Sequence, residues 1–417
     1  MEAKFKAERD QFYHQLDCFW DRLYGQEYAL FDCLELNQGE IEEIRTATNR
    51  VYSLFKKTNQ LIRETSDETL FQLGFPSKTI PFLRLQTISY ETVIGRFDFV
   101  QTNQGLKLLE FNADTPTFIR ELFEVNGKVS KHFSLKDPNE GLDDRLGEVI
   151  RNAVYQASRL IGQHSHPYVV FTAHADDMED RETMKYLMQV AKIDGALFIP
   201  LNELIITSEG TKTGVYDPKG KRIDVLYRHT YPLEALINDQ TGDGYPIGEA
   251  FLHLVKNKKV AMLNPPSAFL MQTKALLALI WGMHEQKHPF YTAEEHQDIS
   301  SYFLPTYLDE EPLVESVEKY VSKPVFGREG DTVEVKLKGK NIGKQNKYTY
   351  DQFLKIYQQH VELPKKLIQT DKGKKEAHLL VGSFIVGERA SAMGFRAGAA
   401  ITDNLSYYLP CGVKGED

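Results

Sequence analysis

Cysteine and tryptophan are scarce in this chain, at three and two among 417 residues. Cys18, Cys33 and Cys411 are too few and too scattered for a disulfide framework or a zinc site. Positive charge is also short: 50 Lys and Arg against 59 Asp and Glu leave a net charge of −9, which argues against a nucleic-acid partner while tolerating a cationic small molecule. No long apolar run occurs. The most apolar helical stretch, Ser267 to Trp281, is interrupted by Gln272 and Lys274 and is too short to span a bilayer. The first ten residues are charged throughout, so no secretory leader is expected and the protein reads as cytoplasmic. Nor is there a P-loop. Gly242 to Gly248 has one residue too many for a dinucleotide fingerprint and no strand leading in, so a loop is expected. Apolar content of 41% and charge of 26% are those of an ordered globular chain, and the length calls for two or three packed lobes.

What is present centres on Gly95 to Thr117. Two alternating runs flank Asn103-Gln104-Gly105, which suits a β-hairpin with a three-residue loop and glycine in the left-handed position. That loop pairs Thr102 with Leu106, Val100 with Leu108, Asp98 with Glu110 and Arg96 with Asn112. Opposed residues share a face, so Arg96, Asp98, Glu110 and Asn112 come together on one side. Phe97, Phe99, Leu109 and Phe111 fall on the other, the core side. Two carboxylates and an amide oxygen are hard ligands that suit Mg²⁺ bridging substrate phosphates. The same pattern also fits a surface hairpin whose charges simply pair, Arg96 with Asp98 or Glu110.

The segments Tyr90-x-x-x-x-Gly-Arg-Phe-Asp-Phe99 and Leu108-Leu-Glu-Phe-Asn-Ala-Asp-Thr-Pro-Thr117 closely resemble the synthetase domain of the glutathionylspermidine synthase family, carboxylate–amine ligases of the ATP-grasp type. The resemblance covers nearly the whole chain. It implies a mixed α/β (α+β), circularly permuted ATP-grasp fold with a doubly wound pre-ATP-grasp-like domain. It implies ATP and Mg²⁺ as cofactors, with Asp98, Glu110 and Asn112 as metal ligands and Arg96 as a catalytic arginine lining the cleft with few packing contacts. Lys274 matches an ATP-contacting lysine. Lys323-Pro-x-x-Gly327-Arg-Glu-Gly330 matches the family's nucleotide segment, in which Lys323 reaches phosphate as a point charge and a glycine-bracketed turn closes over the nucleotide. Arg396 matches the arginine at the transferring phosphate, and Asp403 falls in a matching nucleotide segment. Asp114, Thr115 and Thr117 match the segment lining the peptide substrate site. The implied partners are small molecules, a peptide or amino-acid carboxylate and an amine such as a polyamine. Ala397, Tyr408 and Cys411 depart from the family's usual residues, and the amidase domain of its bifunctional members is absent from this chain. A ligase of the same chemistry for other substrates, or a non-catalytic nucleotide- or peptide-binding descendant, stays open beside this reading.

The expected layout is 1–144 for N-terminal helices plus the carboxylate hairpin, 145–266 for the doubly wound part and 267–417 for the nucleotide-binding part. Residues 2 to about 25 carry helical periodicity. Asn37 and Glu40 form a capping-box pair opening a helix to about Glu64. Thr115-Pro116 reads as an N-cap and first helical position of a helix running to about Lys131, whose N-terminus would favour an anion beside the metal face. Tyr168–Thr172, a helix over 180–192 and Ala196–Pro200 form a parallel β-α-β unit. Gly214–Asp217 and Arg222–Tyr227 suggest a hairpin, and Val260–Asn264 a short buried strand. His284-Glu-Gln-Lys-His288 has zinc-protease spacing, but Pro289 pushes His288 out of helical geometry, so a polar helix end is expected. The basic stretches Lys336–Lys347 and Lys372–Lys375 read as surface loops. Gly387-Glu388 suits a type II′ turn between two strands.

Overall fold

The computed structural model describes residues 2–415 except 164, 209, 230–231, 317–318, 329, 345–347 and 402–404. Its architecture is mixed α/β, built on three sheets.

A six-stranded antiparallel sheet forms the floor. Its order runs Tyr407–Leu409, Arg389–Gly398, Gly373–Val386, Ile94–Thr102, Gly105–Asn112, with Lys365–Thr370 paired to the outer half of Gly373–Val386. A five-stranded sheet lies beside it, in the order Thr306–Tyr307, Lys355–Gln359, Lys319–Pro324, Glu334–Leu337, Lys340–Lys344. The third sheet is parallel, ordered Ala261–Leu263, Val225–Arg228, Val169–Thr172, Leu197–Phe198. Alternate residues of its strands enter two cores: Val170, Leu226 and Met262 on one face, Val169, Phe171, Val225 and Tyr227 on the other. Helices Leu142–Leu160 and Met178–Ala191 cover the second face and Ile247–Lys256 joins the first, as a doubly wound sheet requires.

The long helix Gln38–Arg63 begins at the expected capping box, with Asn37 and Glu40 each bonded to the other's backbone N–H. Its buried stripe, including Tyr52 and Phe55, packs on the apolar face of the carboxylate hairpin. Phe97 and Phe111 stack there at 3.9 Å, and Phe55 meets both rings edge-on at 5.6 and 5.2 Å. This packing fixes which face of the hairpin is left for chemistry.

The hairpin reaches its expected register by a different route. Arg96 opposes Asn112 and Asp98 opposes Glu110, but the loop is two residues long and Thr102 pairs with Gly105. Val100 therefore faces Lys107 and Gln101 faces Leu106. A bulge at Leu109 supplies the missing residue, so the one-residue slip at the tip is cancelled before the carboxylates are reached. Leu109 consequently lines the cleft instead of joining the aromatic core.

Several sequence expectations are corrected. The first helix ends at His14, because buried Arg9 binds Asp21 at 2.6 Å and Glu27 at 2.8 Å and so folds the chain back on itself. Helical turns after the hairpin start only at Ile119, and Phe118 takes φ +77°. Thr115 does not cap them: its hydroxyl accepts from Arg328 at 2.5 Å, and the first helical residue lies four positions further on. Arg222 makes only an isolated bridge to Tyr216. The wholly buried Val225–Arg228 belongs to the parallel sheet, as an apolar run without alternation does. Lys336–Lys347 is in large part a hairpin, Glu334–Leu337 with Lys340–Lys344, and Gly373 opens a strand of 14 residues. Gly387 and Glu388 both have positive φ, +54° and +68°, which makes the turn type I′. As expected, the helix carrying His284 ends before His288, at Glu285; His284 instead meets His296, at 3.2 Å between Nδ1 atoms. Among the described residues no helix is long and apolar enough to cross a membrane.

Candidate active site

Between the antiparallel floor and the five-stranded sheet lies a cleft of about 130 Å³. Asp98, Leu109, Glu110 and Leu380 line its floor, and Val321, Lys323, Val335 and Gln358 its roof. Lys274, Gly327, Gly330 and Asp331 also line it, as do Gln359 to Val361. The apolar side chains suit a flat ring, while the lysines suit phosphate.

The charges are tightly arranged. Lys274 stands 3.1 Å from Glu110 and donates to the Gly327 carbonyl at 3.0 Å. Lys323 donates to the Leu109 carbonyl and to Gln358 Oε1, both at 2.8 Å. Burial, aided by nearby Lys274, pulls Lys323 down to about 7 against the opposing pull of Glu110 and Asp98. Burial alone would raise Glu110, but Lys274, Lys323 and Arg96 outweigh it and hold this carboxyl well below its ordinary range. Asp98 goes the other way: burial and the Glu110 charge raise it in spite of Arg96.

Arg96 is buried, at 5% exposure, and its fork closes on Asp98 with Nε to Oδ1 at 2.7 Å and Nη2 to Oδ2 at 3.0 Å. Its Nη1 donates to the Thr117 carbonyl at 2.9 Å. Arg96 is thus a packed, paired residue and not the lightly held cleft edge expected from sequence. Gly382 sits opposite Asp98, and a Cβ there would meet the Phe118 ring at 3.3 Å and the Arg96 Cδ at 3.4 Å. Arg396 opposes Leu380, on the same face of the sheet as Gly382 and Asp98. Its charge is felt at Asp98 and also at Glu179. Burial, then Glu121, Asp180 and Asp177, push Glu179 well above the carboxylate range. Glu121 itself is fully buried and accepts from Tyr28 Oη at 2.6 Å.

The donor set fits a hard divalent cation in part. Asp98, Glu110 and Asn112 share a face, with Asn112 Nδ2 at 3.4 Å from Glu110 Oε1. No group of three or more His, Cys, Asp or Glu that could hold a metal occurs among the described residues. Two carboxylates and an amide are the partial shell expected for Mg²⁺ that completes its coordination with phosphate oxygens and water.

Asp114, Thr115 and Thr117 lie on one extended loop. Asp114 is locked to Arg228 at 2.6 Å and to the Leu233 N–H at 3.2 Å. Gln272 Oε1 accepts from the N–H groups of residues 113 and 114, and the Asn264 amide bonds the Val93 N–H and the Asp114 carbonyl. Asp403 lies outside the described residues. Sequence reasoning missed Gln272, Asn264, Arg228 and Gln358, which come singly from distant segments and carry no local pattern. Arg328 was inside a recognised motif, but nothing in its spacing revealed a partner 213 positions away.

The glutathionylspermidine synthase preATP-grasp family matches residues 3–414. A Haemophilus influenzae protein provisionally named an acid–amine ligase is 26% identical over 395 residues, covering 90% of this chain and 88% of its own length. The bifunctional glutathionylspermidine synthetase/amidase of Escherichia coli is 22% identical over 78% of this chain and 51% of its own length. In fold, a glutathione synthetase-like effector from Globodera pallida, solved in its apo form, superposes with a TM-score of 0.61 at 13% identity, over 98% of this chain and 96% of that one. With these relatives, the cleft defines an ATP-dependent ligase of the acid–amine class. The chain belongs to the glutathionylspermidine synthase family.

Proposed function

We propose that the protein activates the carboxylate of a small peptide or amino acid with ATP, through an acyl phosphate, and joins it to an amine such as a polyamine. The observation that carries this reading is that Asp98, Glu110, Lys274 and Lys323 line one cleft together with apolar side chains such as Val321, Val335 and Leu380, with Asn112 beside Glu110 on the same hairpin face. On this reading the fold is a circularly permuted ATP-grasp, with its carboxylate hairpin early in the chain and its nucleotide strands late.

Lys274 and Lys323 would hold the nucleotide phosphates, with Gly327 and Gly330 close to them. Asp403 would belong to the same nucleotide site. Asp98, Glu110 and Asn112 would hold Mg²⁺, which supplies charge neutralisation at the transferring phosphoryl group when bound. Arg96 and Arg396 would stabilise that group and the tetrahedral oxyanion that follows. The loop bearing Asp114, Thr115 and Thr117 would seat the acid. The amine attacks the acyl carbon, phosphate departs and the new amide nitrogen gives up a proton.

The test is an ADP-release screen across peptide acids and amines, run with mass spectrometry of the products. Release of ADP with one acid–amine pair, and an amide product of matching mass, supports the reading. Mg²⁺-dependent nucleotide binding with no ADP release under any pair would sink it.

A further inference from the structure

We propose that Arg328 couples nucleotide binding to the ordering of the acid-substrate loop, by tying the segment that carries Gly327 to Thr115; this rests on the ligase reading above. Three arginines hold three residues of that loop. Arg228 binds Asp114, Arg96 binds the Thr117 carbonyl and Arg328 Nη2 donates to Thr115 Oγ1 at 2.5 Å. The first two stand on regular strands, Val225–Arg228 and Ile94–Thr102. Arg328 alone of the three comes from the nucleotide-lining segment, directly after Gly327, whose carbonyl accepts from Lys274 and whose backbone lines the cleft.

The guanidinium sits in a built seat. Thr115 is 2% exposed and can move only with its loop. Glu234 and His229, both buried in the parallel-sheet lobe, lie close enough to feel the Arg328 charge, which offsets part of the cost of burying Glu234; His229 is kept neutral first by burial, then by Arg328 and Arg228. Arg328 therefore meets the loop from the nucleotide side and the parallel-sheet lobe from the other. A nucleotide that fixes the Gly327 segment should fix Thr115 through this one bond, and coupling between sites is reciprocal. Arg328 is a positioning residue in this scheme, since it acts through Thr115.

Hydrogen exchange with the non-hydrolysable nucleotide AMP-PNP and Mg²⁺ tests this without knowledge of the acid. In the wild-type chain the nucleotide should slow exchange over both 319–337 and 113–118, the latter about fivefold or more, the lower end of ordinary site-to-site coupling. In Arg328→Ala the slowing over 319–337 should persist, while that over 113–118 should fall below about twofold. Thr115→Val removes only the accepting hydroxyl and should reproduce the loss, which covers the case in which Arg328→Ala folds poorly. Arg328→Lys keeps the charge and one donor and should recover part of the effect, as a merely space-filling role would not require. Undiminished slowing over 113–118 in both Arg328→Ala and Thr115→Val overturns the inference, as does wild-type slowing confined to 319–337. Absence of slowing over 319–337 in the wild type would instead remove the nucleotide site, and the ligase reading with it.

Discussion

Arg96 and Asp98, two positions apart on one strand, form a buried bidentate pair with N···O distances of 2.7 and 3.0 Å. The pair leaves Asp98 acceptor capacity for a cation on its open side, and a metal bound there would compete with Arg96 for the carboxylate. Arg96 would then be freed to meet phosphate oxygens with its planar fork.

Arg96→Lys should therefore lower turnover by about 10² or more, since lysine keeps the charge and loses the fork. Stability should also fall, by roughly 1–3 kcal/mol, because a buried charged hydrogen bond is lost. Melting temperature and ADP release on the same purified variant check both parts. Normal turnover in a destabilised variant would reduce Arg96 to a structural partner of Asp98.

Lys323 makes nucleotide affinity depend on pH. Burial leaves it at about 7, so it is mostly charged below that pH and mostly neutral above it. Phosphate favours the charged form, and binding above pH 7 must take up a proton. Affinity for ADP should be flat below about pH 6.5 and then weaken by up to about tenfold per unit as pH rises. Titration calorimetry in buffers of different ionisation enthalpy should show the proton uptake at pH 8, and Lys323→Met should lose both the uptake and the slope. An unchanged slope in that variant would move the titration to another group.

The hairpin shows how much was legible beforehand. Alternation of apolar and charged residues fixed the two faces, and the capping box at Asn37 fixed the helix that covers one of them. The bulge at Leu109 was invisible, because a shorter loop and an extra residue leave the same pairing at Asp98 and Glu110. The parallel β-α-β unit was readable from its order of apolar run, helix and second apolar run. Val225–Arg228 was not, since a four-residue buried run carries no mark of its neighbours. Thr115 misled for a tertiary reason: its hydroxyl serves Arg328, and a local capping rule cannot see that competitor.

Asp114 and Arg228 join the substrate loop to the parallel sheet through a pair with side chains 0% and 2% exposed. Removing Asp114 takes the opposing carboxylate from a buried guanidinium, so Asp114→Ala should cost about 3–5 kcal/mol in denaturant unfolding. Replacing both, as Asp114→Leu with Arg228→Met, should cost clearly less than the sum of the two single changes. Additive costs would show that the two side chains act separately.

Glu110 gives the sharpest test of the metal assignment, because the two roles open to it predict opposite signs. Its carboxylate lies 3.1 Å from Lys274 and is kept ionised by Lys274, Lys323 and Arg96. As a metal ligand it repels phosphate until a divalent cation intervenes. Glu110→Gln should then tighten ADP binding in the presence of a chelator, since Lys274 and Lys323 keep their charge and lose an anionic competitor. The same variant should gain little from added Mg²⁺, so the ratio of metal-free to metal-loaded Kd should shrink toward one from an expected wild-type value of about 5–150, the usual span of coupled sites. Turnover should fall by about 10² or more. If Glu110 serves only to hold Lys274 in place, Glu110→Gln should weaken ADP binding with and without metal and leave that ratio unchanged. Calorimetric titration of ADP into both proteins, with Mg²⁺ and with chelator, separates the two roles by the direction of a single change in Kd.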